Sequence, residues 1–166
     1  FHTFELTLFD WVHTALQNGT VTLEAFLYCQ ACREIGFRFR DIEAFLKEDW
    51  VFPAATRSKG KGLHRVFDEF RAQSSQKADR PKASASEILG LYGLLRHWSD
   101  VEVRDRPEVA AHRASFGAAC EVTDIILRTK RGFIDTRTAE HFLMRAVTDH
   151  MVRHKAVYDT AHIKPK

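Results

Sequence analysis

No apolar run in the chain approaches the roughly 20 residues that a bilayer-spanning helix needs, and no signal peptide is visible, so no membrane partner is expected. There are only three cysteines, an odd number in a chain of ordinary core composition. That count points to a reducing, intracellular compartment. A glycine-rich phosphate loop is missing: Lys59-Gly60-Lys61-Gly62 has the wrong spacing for a Walker motif and follows no strand-like run. There is no Gly-x-Ser-x-Gly elbow, and nothing singles out one Ser/His/Asp set among nine histidines. No repeat of fixed period is present.

The 166 residues, 45% of them hydrophobic, suffice for one core. They read as a single helical domain, or as a piece of something larger. The chain opens inside strand-like sequence and closes on Ile163-Lys164-Pro165-Lys166 without a stop signal, so both ends read as cuts. Charge is unevenly spread. Residues 1–50 carry a net −4, whereas residues 57–82 carry a net +5 from Arg57, Lys59, Lys61, Arg65, Arg71, Lys77, Arg80 and Lys82 against three acids. A basic segment beside an acidic one suggests a polyanion partner, or simply a solvated loop.

In the opening stretch, Phe4, Leu6 and Leu8 alternate with Glu5 and Thr7, the period of a half-buried strand. From Trp11 the apolar residues fall at helical spacing. Asp10 thus sits at a strand-to-helix junction. A carboxylate there suits a metal ligand or acid catalyst, and equally a plain helix N-cap.

Helical signals dominate the remainder. Thr22 is expected to cap a helix with Leu23, Phe26, Leu27, Ala31 and Ile35 on its apolar face and Gly36 at its end. Asp41 opens another, with Ile42, Phe45 and Leu46 apolar, and Pro53 ends that segment. A loop over 55–62 leads to a short helix with Val66, Phe67 and Phe70, then to a polar, low-complexity basic loop at about 72–83 that reads as mobile. Ser84-x-x-Glu87 is a capping box launching the most apolar helix, through Ile88, Leu89, Leu91, Tyr92, Leu94, Leu95 and Trp98, whose apolar residues on nearly all sides imply a central, buried helix. A helix from Asp105–Glu108 to Gly132 and a last one from Asp135 or Thr136 to about Tyr158 follow. The last has Phe142, Leu143, Ala146, Val147 and Met151 as its apolar face, with His150 and His154 on an exposed one. The fold class is mainly α: about six helices, with strand-like segments only at the two termini.

Two constellations carry possible chemistry. One is Asp10-x-x-His13. The other joins Cys29-x-x-Cys32 to His150-x-x-x-His154. Each pair lies on one face of a predicted helix, and two thiolates with two imidazoles suit tetrahedral Zn²⁺. Cysteines on an apolar helix face are also ordinary small core residues.

Phe9-Asp10-Trp11-Val12-His13 followed by Gly19 resembles the Asp-x-x-His…Gly stretch around the second catalytic Asp of RNase H-like DDE transposases, notably eukaryotic cut-and-paste elements of the CACTA type and related mobile-element reading frames. Ser86 to Leu95, the long helices after it and the closing His162 to Lys166 are similar to the helical region that such enzymes insert in the RNase H-like fold. The resemblance implies that this is an internal fragment of a nuclear, DNA-transposing enzyme that acts with oligomeric partners of its own kind. In the parent protein, two Mg²⁺ ions held roughly 3.5–4 Å apart by carboxylates would drive phosphodiester cleavage and transfer. Asp10 would be one of those carboxylates and His13 its companion. Arg57, Lys59, Lys61, Arg65, Lys77, Arg80 and Lys82 would touch DNA backbone without reading sequence. The Cys and His pairs are similar to the zinc-binding pairs of some DDE recombinases. The first catalytic Asp and the final Glu are not in these residues, so the piece alone is expected to be inactive. The alternative reading is a non-catalytic helical domain that binds nucleic acid or protein.

Overall fold

The computed structural model describes Leu16, residues 19–48 and residues 83–160. All of these belong to helices or the turns around them, and no strand occurs among the described residues. The elements are α1 (Thr20–Glu34), α2 (Phe39–Glu48), α3 (Ala85–Glu102), a 3-10 turn (Pro107–Val109), α4 (Ala110–Lys130) and α5 (Thr136–Tyr158). The chain divides into two compact units, Phe1–Asp105 and Arg106–Lys166. The strand expected over Phe4–Leu8, the helix around Phe67 and the closing Ile163–Lys166 lie outside the described residues.

In the first unit, α3 packs on both α1 and α2. Its start is the capping box expected from Ser84 and Glu87. The Ser84 hydroxyl accepts from the Glu87 backbone N–H, and the Glu87 carboxylate accepts from the Ser84 N–H at 2.8 Å. Two free donors of the first turn are satisfied this way. Ile88, Leu91, Leu95 and Trp98 recur every three or four residues and are buried, so α3 presents one continuous apolar stripe to its neighbours. Phe37 meets the Trp98 ring edge-on at 5.6 Å. Leu16, Val21 and Ile88 form a smaller cluster roofed by Leu89 and Tyr92.

Thr22 does not cap α1. The N-cap is Gly19, and Thr22 sits fully buried in the first turn, its hydroxyl donating to the Leu16 carbonyl. The helix is also buried more fully round than its expected face: Tyr28, Cys29 and Cys32 are in the core along with Phe26 and Ala31. It stops where Gly36 adopts φ +100°, with the Phe37 N–H bonding the Cys32 carbonyl and the Gly36 N–H bonding that of Arg33. This paired closure needs a left-handed residue, which glycine accepts at no steric cost. Asp41 acts three residues into the next segment by accepting from the Arg38 backbone N–H at 2.7 Å.

The second unit is a helical hairpin, α4 running back along α5. Gly132 at φ +77° ends α4 with the same double closure, Phe133 N–H to Arg128 carbonyl and Gly132 N–H to Thr129 carbonyl. Asp135 then caps α5 by accepting from the Thr138 N–H at 2.9 Å. The phase of α5 differs from the expected one. Its buried residues are Ala139, Ala146, His150 and His154, whereas Phe142, Val147 and Met151 are exposed. α4 buries mostly small side chains as well (Ser115, Ala118, Ala119, Cys120, Thr123).

Candidate functional sites

Asp10 and His13, and the basic residues Arg57, Lys59, Lys61, Arg65, Lys77, Arg80 and Lys82, lie outside the described residues. Among the described residues, geometry supports three candidate sites: the thiol pair of α1, the ring stack of the hairpin, and a groove beside it.

Cys29 and Cys32 are one turn apart on α1 and are buried thiols not joined in a disulfide, as is Cys120 on α4. Burial pushes the Cys29 thiol well up and lifts Cys32 from 9.0 to about 11, a hydrogen bond from Tyr28 acting against the rise at Cys32. Both are therefore protonated at neutral pH and are poor nucleophiles. Tyr28 joins the same cluster, sharing a hydrogen bond of 2.5 Å with Ser99 of α3. Burial also drives its phenol far above the usual range. α1 further carries Glu24, a carboxylate with no exposed surface; nothing in the sequence sets it apart from an ordinary acid near a helix start.

His150 and His154 are both only 7% exposed, which corrects the expectation that they lie on a solvated face. Their rings are 5.9 Å apart between centroids. Two imidazoles sharing one Zn²⁺ at Zn–N of about 2.1 Å require a similar separation, so the spacing fits chelation. The stack continues: His154 lies 5.0 Å from the Tyr158 ring, and Tyr158 meets His112 of α4 edge-on at 5.3 Å. The Nδ1 atom of His112 is buried without a hydrogen-bond partner among the described residues. Three imidazoles and a phenol thus run from α5 onto α4. The i,i+4 spacing of His150, His154 and Tyr158 is visible in the sequence; the contribution of His112, well upstream on another helix, is not.

The groove has a volume of about 760 Å³ and lies in the second unit, between α4, the turn after it and α5. Its lining includes the buried Ile125 and Ala146, the exposed rings of Phe133 and Phe142, and six charged residues, Arg128, Arg145, Arg153, Glu121, Asp135 and Asp149. Phe133 is 71% exposed, an unusual position for a ring that could have been turned inward. It follows directly on the Gly132 closure, its backbone N–H bonding back to the Arg128 carbonyl of α4. The charges balance formally, but they are not equally engaged. Asp149 holds Arg153 at 2.7 Å, and Glu121 acts on the same guanidinium. Asp135 is committed to capping α5, and its carboxyl is held below the usual range by the hydrogen bonds of Thr138. The guanidinium groups of Arg128 and Arg145 have no ion-pair partner among the described residues. No residue of this groove belongs to a motif, which is why spacing rules do not reveal it.

No described helix is long and apolar enough to cross a membrane. Compared with known proteins, the chain matches no family profile, no curated protein and no solved structure.

Proposed function

We propose that the chain is a non-catalytic helical binding module whose second unit docks a protein partner. The groove of the α4–α5 hairpin is the observation that carries this reading. Buried aliphatic side chains, two exposed phenylalanines and six charged residues give the composition of an interface core with its rim. Aromatic anchors of this kind concentrate binding energy, and leaving them in water has a cost that a partner recovers. Peptides selected by display against the full chain are expected to weaken at least about tenfold on the Phe133→Ala/Phe142→Ala double variant, as for other interface anchors. Both side chains are exposed, so the variant keeps the fold. Selection that yields no binder, or binders indifferent to the double variant, rejects the reading.

The second reading is the DDE transposase fragment. One observation favours it: the residues described between Ala85 and Tyr158 are an all-helical array, as a helical insertion in an RNase H-like enzyme would require. Under this reading Asp10 would contribute to an Mg²⁺ site in the parent protein, and Cys29, Cys32, His150 and His154 would together hold a structural Zn²⁺. Its test is a mobility-shift titration with duplex DNA over a range of salt. Charge-neutralising Lys59, Lys61, Arg80 and Lys82 should lower the slope of log affinity on log salt by roughly 0.9 for each phosphate that is no longer neutralised. DNA binding that is absent, or unaltered by those changes, removes the support for a nucleic-acid role.

A further inference from the structure

Resting on the binding-module reading, we infer that the groove takes an acidic peptide segment with a bulky apolar side chain at its centre. The inference comes from what the groove leaves unsatisfied. Two of its three carboxylates are engaged, Asp149 on Arg153 and Asp135 on the first turn of α5, while Glu121 acts on Arg153 only at longer range. Two of its three guanidinium groups, Arg128 from α4 and Arg145 from α5, have no such partner among the described residues. A planar guanidinium with free donors pairs best with a carboxylate, to which it can give two parallel hydrogen bonds. The groove offers one such group from each helix. The same groove is lined by Ile125, Ala146 and the Phe133 and Phe142 rings, whose side chains make no hydrogen bonds and gain only from apolar burial. An occupant must therefore carry carboxylates spaced around an aliphatic or aromatic side chain. A nucleic-acid backbone matches the arginines but presents nothing for the apolar lining. A basic segment would find a single carboxylate without an ion pair, Glu121, against two such arginines.

The experiment is fluorescence anisotropy of the full chain with four labelled probes: a 12-residue peptide with Asp and Glu flanking a central Leu-Phe pair, the same peptide with Lys for each acid, the acidic peptide with Ser for Leu-Phe, and a 12-base-pair DNA duplex. The acidic apolar peptide should bind at least about tenfold tighter than the other three, the difference that two charge-assisted pairs and one buried anchor would make. Arg128→Glu with Arg145→Glu, both exposed positions, should lose that binding and gain the Lys peptide, a swap that misfolding cannot mimic. If the Lys peptide binds the unaltered chain equally well and the Phe133→Ala/Phe142→Ala variant abolishes it, the inference is overturned while the binding-module reading stands. If the DNA duplex alone binds, the inference is overturned in favour of a polyanion site. If no peptide responds to the phenylalanine substitutions, both fall together.

Discussion

The phenol of Tyr28 on α1 and the hydroxyl of Ser99 on α3 share a hydrogen bond of 2.5 Å, and both residues are buried. They are 71 positions apart in the chain, so this bond ties two helices that the sequence separates by a long intervening segment. Removing one partner leaves a buried polar atom unpaired. Tyr28→Phe is therefore expected to cost about 1–2 kcal/mol. For a chain of this size that lowers Tm by roughly 2–8 °C. Ser99→Ala should cost less, and a double-mutant cycle should give a coupling of about 0.5–2 kcal/mol; additive losses would mean the two hydroxyls do not interact.

The same cluster sets the alkaline limit of stability. Burial raises Cys32 from 9.0 to about 11 and pushes Cys29 and Tyr28 upward as well. A raised folded-state pKa means the unfolded chain ionises first. The stability these groups contribute is complete below pH 9 and is lost as pH rises toward 11. Urea midpoints measured from pH 7 to 11 should fall beyond pH 9 in the unaltered chain and less so in Cys29→Ala/Cys32→Ala. Parallel falls in both would assign the alkaline transition elsewhere.

Thiol chemistry gives an independent probe of the core. All three cysteines are buried, at 1% exposure or less. A disulfide reagent should therefore label no thiol of the native protein within minutes and all of them in urea, because reaction needs an exposed thiolate. Rapid labelling of Cys29 or Cys32 in the native state would show that α1 opens locally or that its thiols are held as anions.

Most helix ends are legible in the sequence, where a single local residue decides them, although Thr22 yields the N-cap of α1 to Gly19. Ser84 with Glu87, Gly36, Gly132 and Asp135 each do what their type and position imply. Which face a helix buries is less legible. Periodicity gives Phe142, Leu143, Ala146, Val147 and Met151 as the apolar face of α5, yet of these only Ala146 is buried, together with Ala139, His150 and His154. Burial depends on what packs against the helix, which one-dimensional periodicity cannot see. The groove is hidden for the same reason: Arg128 and Arg145 become neighbours of one cavity only when the turn at Gly132 folds α4 onto α5.

The two left-handed glycines should be sensitive to a single methyl group. At Gly36, φ is +100°, and at Gly132, φ is +77°; an added Cβ would meet no atom within 4 Å at either position. The cost of Gly→Ala is then backbone strain alone, about 1 kcal/mol at each. Gly132→Ala has a second consequence, because the closure it disturbs also positions Phe133. Peptide binding by that variant should weaken, whereas Gly36→Ala should lose similar stability and bind normally. Equal binding by both would uncouple the groove from the α4 stop.

The ring stack predicts where the hairpin is fastened. Tyr158 touches His154 on its own helix and His112 on α4, and it is the last residue of α5. A helix terminus normally frays, with opening free energies near zero. Here one ring contact along α5 and one across the hairpin, to His112, oppose it, and edge-on aromatic pairs add about 0.5–1.5 kcal/mol beyond burial. Tyr158→Ala should therefore cost about 2 kcal/mol and raise amide exchange through the last two turns of α5. Tyr158→Phe keeps the ring, and with it the contacts to His154 and His112, and should retain most of the protection. His112→Ala should loosen the same turns, although it lies at the other end of the sequence of this unit. Hydrogen exchange resolved by residue separates these outcomes. Unchanged protection at residues 150–158 in both Tyr158→Ala and His112→Ala would show that the small-residue contact alone holds the hairpin closed.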